Sequence, residues 1–206
     1  MDAAISASAH ASPGGHASHI DEAHKLRFGM GFYIVTDAIF VLFLLVAYVW
    51  LRGYNVDNAF FPSGTKLPDA NMSYILTGLV VVSAFAYYAA YVGARRGSQG
   101  QLRGGLLVAT VLVLVALIGQ IRFQGSLPFV TNAGSYASIY IMLSSYHIYH
   151  MLIGLFLGLG VSHRALRGRY TTSNLVGLQI IGYFWFWMAL MPVLVAVMMF
   201  LLPPQV

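Results

Sequence analysis

Five long apolar runs dominate the chain, at about residues 29–51, 71–92, 104–121, 136–161 and 175–202. Each comes close to the roughly 20 residues needed to cross the hydrocarbon core of a bilayer. An open sheet edge cannot sit in lipid, and the runs are too long and too evenly apolar for barrel strands. The sequence therefore predicts an all-α, polytopic membrane helix bundle of five transmembrane helices. Charge agrees with this. Only 8% of the 206 residues are charged and 59% are hydrophobic, whereas soluble domains carry roughly 25% charge. A monomeric soluble enzyme and a disordered chain are both excluded. With no cysteine, disulfides, thiolate metal sites and cysteine nucleophiles are excluded as well.

Residues 1–26 read as a flexible cytoplasmic tail rich in His, Ala and Ser, and residues 27–206 as the transmembrane domain. The tail carries His10, His16, His19 and His24 and lacks the ordered regions of a signal peptide. Lysines and arginines set the expected orientation. Lys25, Arg27, Arg95, Arg96, Arg103, Arg164, Arg167 and Arg169 fall on the side of the N-terminus, against Arg52, Lys66 and Arg122 opposite. The N-terminus is predicted inside and the C-terminus outside. These basic residues form short clusters at span ends and no basic stripe, so the net charge of +5 is a topology signal. No nucleic-acid partner is expected.

Few polar groups enter the spans. Asp37 lies about a third of the way into the first, where a carboxylate costs roughly 2.5–3.5 kcal/mol on insertion scales. It is the candidate for proton uptake or for a contact with another subunit. No Lys or Arg lies deep in another span, so no charged partner is expected for it within the chain. His147 and His150 sit three apart on the fourth span. That spacing could serve a metal, but a third ligand is missing, and hydrogen bonding between helices is the stronger reading. Gln120 near the end of the third span is a further interhelical candidate. No metal or haem site and no catalytic residue is expected. Gly154 and Gly158 form a small-xxx-small pair, a weak signal for close helix approach. Tyr183, Trp185 and Trp187 read as interfacial anchors, and Pro192 as a kink in the fifth span.

The string Ser145-Tyr146-His147-Ile148-Tyr149-His150-Met151-Leu152-Ile153-Gly154 resembles the "G-x-H-G-x-H-x-x-x-G" stretch of subunit III of the haem-copper oxidases. The first span, Gly29-Met30-Gly31-Phe32-Tyr33-Ile34-Val35-Thr36-Asp37, is similar to that family's "G-x-x-x-(F/Y)-(I/L)-x-S-(D/E)". The resemblance covers about residues 27–202 and is to the short, five-span form. The last span departs from it. Where the family reads "F-W-H-F-x-D-x-x-W", this chain has Phe186 and Ala189 at the His and Asp positions and Pro192 at the final Trp. The acidic residue usual three positions after Gln120 is Phe123.

The resemblance implies a non-catalytic subunit III of a proton-pumping oxidase that reduces oxygen to water, in a bacterial inner membrane. It places haem and copper in the partner subunit I, with none bound by this chain. It implies packing against subunit I, alongside subunit II and small subunits, with structural phospholipids, and gives Asp37 a place near the entrance of a proton pathway. Two alternatives use the same sequence: a subunit III-like protein of a nitric oxide reductase, and a free-standing transporter or haem-binding membrane protein using His147 and His150.

Overall fold

The computed structural model describes residues 14–202 and residue 204. His10 lies outside the described residues, as do the side chains of His16 and His19. The described residues are helical apart from short connections, with five helices long and apolar enough to cross a membrane. They are α1 (Gly14–Tyr54), α2 (Ala70–Arg95), α3 (Gln99–Gly125), α4 (Ser135–Leu166) and α5 (Val176–Leu201). All five expected spans lie within these helices, to within a residue at either end of α5. The largest difference is at the start of the chain, where α1 begins at Gly14, well before the apolar run. The chain is a multi-pass membrane protein.

Helix ends follow local chemistry. The Asp69 carboxylate accepts from the N–H groups of Asn71 and Met72 at 2.9 and 3.4 Å, capping α2. Ser98 caps α3 by accepting from the N–H of Gln101 at 3.4 Å. Both satisfy amides that a helix start leaves without partners. Between α2 and α3 the chain reverses through Gly97 at φ +75°, a backbone conformation open to glycine at little cost. The short turn makes α2 and α3 an antiparallel hairpin. A Cβ on Gly105 would lie 2.8 Å from that of Ala90, so the two backbones approach as closely as small residues permit.

Around this hairpin, α4 lies against α3, and α5 lies against both α2 and α4. α1 lies against α4 and α5 and makes no close backbone approach to α2 or α3. Its buried residues, Asp37, Val41, Leu45 and Tyr48, recur at intervals of four, four and three, a single stripe along a 3.6-residue helix. Most other α1 side chains in the span, including Phe32, Ile39, Phe43 and Trp50, are exposed apolar groups, suited to lipid or a partner helix. The stripe brings the buried carboxylate of Asp37 into the α1–α4–α5 seam.

At the far side, opposite the N-terminus, the loop after α1 is tied to the start of α4. The N–H groups of Ser135 and Tyr136 donate to the carbonyls of Ala59 and Phe60 at 3.2 and 3.0 Å. Phe60 and Phe61 pack edge-on against Tyr136. α1 and α4 are thereby held in register at one end, which fixes what faces what along the seam.

A candidate proton-holding site between α1, α4 and α5

Asp37 is 7% exposed and is surrounded by donors from two other helices. The Tyr146 hydroxyl of α4 donates to its Oδ1. The Trp187 indole N–H of α5 donates to its Oδ2 at 2.5 Å. His150 Nε2, also on α4, lies 3.1 Å from the same Oδ2. Tyr33, one turn before Asp37 on α1, places its hydroxyl 3.3 Å from His150 Nε2. The His150 ring stands edge-on to Tyr146 and stacks at 6.1 Å and 13° on Phe184 of α5.

The protonation of this cluster follows from which atoms accept. His150 Nδ1 lies 2.9 Å from the backbone carbonyl of Tyr146. A carbonyl only accepts, so Nδ1 carries a proton. Nε2 then faces Asp37 Oδ2 across 3.1 Å, and two bare acceptors at that distance repel. One proton between them removes the conflict, as an imidazolium with a carboxylate or as a neutral imidazole with a carboxylic acid. Both forms keep the net charge of the pair at zero, which meets the high cost of an isolated charge in the membrane. The geometry of the cluster accommodates one proton between His150 and Asp37.

The sequence singles out Asp37 and His150 but does not join them. Among the described residues no Lys or Arg stands beside Asp37; its ionisable neighbour within the chain is His150, which a count of Lys and Arg leaves out. Tyr146, Trp187 and Tyr33 do not stand out in the sequence either. The spacings of Tyr33 and Asp37 and of Tyr146 and His150, each four apart and so on one helical face, are signals for the cluster that the sequence holds. The interfacial reading of the fifth-span aromatics is corrected for two of them. Trp187 is 8% exposed and Trp185 fully buried. Trp185 stacks on Tyr87 at 4.9 Å and donates to Ser83 at 3.1 Å. Tyr183 alone of the three is exposed.

His147 goes elsewhere. It is buried beside α2, α3 and α5 together with Gln120, whose amide donates to Ser144 of α4 at 2.9 Å. The small-xxx-small pair does serve close approach. A Cβ on Gly154 would lie 2.6 Å from Met188 Sδ, and one on Gly158 would lie 2.7 Å from the Trp185 ring. These contacts seat α5 against α4 and bring Trp187 to Asp37.

Among the described residues no group of three His, Cys, Asp or Glu side chains comes together. Both nitrogens of His150 are engaged, one by a carbonyl and one by Asp37, and His147 stands as a lone candidate ligand.

No family model matches the chain. Individual relatives do. Cytochrome c oxidase subunit 3 of Thermostichus vulcanus is 23% identical over 176 residues, covering 83% of this chain and 86% of that protein. The protein of the same name from Synechocystis is 23% identical over 190 residues, covering 91% of this chain and 79% of that protein. The chain is related to subunit III of the haem-copper oxidases. Subunit 3 of Rattus norvegicus, 22% identical over 164 residues, is matched over 78% of this chain and 63% of its own length. The kinship to subunit III thus spans most of the helical region, including the seam that carries Asp37.

Proposed function

We propose that this chain is the non-catalytic subunit III of a haem-copper terminal oxidase in a bacterial plasma membrane, with its N-terminus inside. It packs beside the large subunit, which supplies haem and copper, and binds phospholipid along its exposed apolar faces. Its own chemical contribution is to hold and pass a proton near that subunit's inlet. The observation that carries this reading is the buried Asp37–His150 pair, which accommodates one proton at 3.1 Å. Tyr146 and Trp187 fix the carboxylate, and Tyr33 stands at the imidazole. The one proton the pair holds can move between Asp37 oxygen and His150 nitrogen with no change in the pair's net charge.

The test is Asp37→Ala in the whole complex. The expected result is an unchanged haem spectrum with slower proton uptake or a shorter lifetime under turnover. Unchanged turnover and pumping over many cycles would remove the proton role. Purification in mild detergent, followed by identification of the large subunit that accompanies the chain, tests the assembly itself. A nitric oxide reductase in place of an oxidase would change the complex and leave the fold standing.

A further inference from the structure

A second polar region lies on the other side of α4. Between α2, α3, α4 and α5 is a cavity of about 50 Å³, whose polar lining is Ser73, Thr77, Gln120, Tyr140, Ser144 and His147. His147 is 6% exposed, and its Nδ1 has no hydrogen-bond partner among the described residues. A buried polar atom left so costs free energy comparable to a lost hydrogen bond. Pro192 of α5 also lines the cavity.

The walls are only partly self-satisfied. Gln120 donates to Ser144, which donates to Gln124 at 3.0 Å. The hydroxyls of Ser73 and Tyr140 lie 3.4 Å apart. Each of these groups keeps further donor or acceptor capacity. One water needs roughly 10–15 Å³ of such space and two to four polar partners. The cavity meets both requirements, and its volume suits about three waters. From Tyr140 to His147 the lining follows seven residues of α4, about 10 Å along the helix. It therefore reaches from the far side well into the membrane.

We infer that this cavity is a bound-water site, in which a small cluster of waters bonds Tyr140, Gln120 and Thr77 beside the buried His147 ring. The site is separate from the Asp37 seam and does not depend on the proton role proposed for it.

X-ray hydroxyl-radical footprinting of the purified, intact protein tests the inference, because radicals formed from bound water oxidise the side chains beside it. Tyr140 and Met199, 6% and 1% exposed, line the cavity, while Tyr136 and Met151, 0% and 1% exposed, do not. The expected result is that Tyr140 and Met199 are oxidised several-fold faster than Tyr136 and Met151. Ala196→Val, which adds carbon to the wall, should bring them down to the rate of the reference pair. Should that variant not assemble, Thr77→Val keeps a similar shape, removes a hydroxyl and should lower the labelling several-fold. Equal labelling of the two pairs in the unaltered protein overturns the inference. So does labelling of Tyr140 and Met199 that persists unchanged in the variants, since bulk water would then be its source.

Discussion

The two intramembrane histidines are three residues apart on one helix and live in different chemistry. His150 looks toward α1 and α5, where a carboxylate, a phenol and a carbonyl saturate it. His147 looks toward α2, α3 and α5, where hydroxyls and an amide line a cavity and its Nδ1 is unpaired among the described residues. The residue type is the same, so the difference comes from what the neighbouring helices place opposite. α1 brings the one deeply buried carboxylate among the described residues. It therefore sets up charge compensation on one side of α4, while the other side meets only neutral dipoles. A pair of histidines at metal-like spacing is here two separate hydrogen-bonding devices.

The largest expected effect comes from removing His150. Breaking a buried pair by deleting one partner costs about 3–5 kcal/mol, because the remaining charge is left uncompensated. His150→Leu should therefore strongly destabilise the protein in equilibrium unfolding in mixed micelles. Asp37→Asn combined with His150→Leu should cost clearly less than the sum of the two single changes, since no charge remains. Strict additivity would show that the two sides of α4 do not differ in charge compensation.

Much of the architecture is legible in the sequence alone. The five apolar runs are long, and each is bounded by basic residues or proline, so span number and position follow from the bilayer's thickness. The helical character of residues 14–26 is not legible, because their Gly, Ala, Ser and His carry no apolar period. The site is half legible. Asp37 and His150 stand out in any apolar sequence, yet their meeting depends on the register between α1 and α4, which the Ala59–Ser135 and Phe60–Tyr136 backbone bonds set. Tyr146 and Trp187 are hidden for a different reason. Phenols and indoles are common at membrane interfaces, so nothing in their identity distinguishes a donor to a buried carboxylate from an anchor at the surface.

The next effects in size compare single donors on the two sides. Trp187→Phe removes the indole N–H that reaches Asp37 and keeps an aromatic ring. A hydrogen bond to a charged group is worth about 1.5–3 kcal/mol, so a loss of about 2 kcal/mol is expected on the same unfolding scale. His147→Leu removes a neutral polar group from the other side and should cost about 1 kcal/mol, in line with interhelical polar contacts in membranes. The order matters more than either figure. If His147→Leu proved the costlier change, the charge of the Asp37 pair would not be what separates the two sides.

The smallest effect is expected at Ser83, which supplies the control for the indole. The Trp185 N–H donates to the Ser83 hydroxyl at 3.1 Å in a fully buried setting. Trp187 makes the matching bond to a carboxyl group two residues along the same helix. Ser83→Ala removes a neutral acceptor and leaves Trp185 wedged between Tyr87 and Gly158, so packing is retained. Polar contacts of this kind between membrane helices average about 0.6 kcal/mol, and that loss is expected here. A cost equal to that of Trp187→Phe would mean that a buried indole is penalised whenever it loses a partner, whatever the partner's charge. A cost several-fold smaller assigns the excess at Trp187 to Asp37, and with it the distinct electrostatics of the seam between α1, α4 and α5.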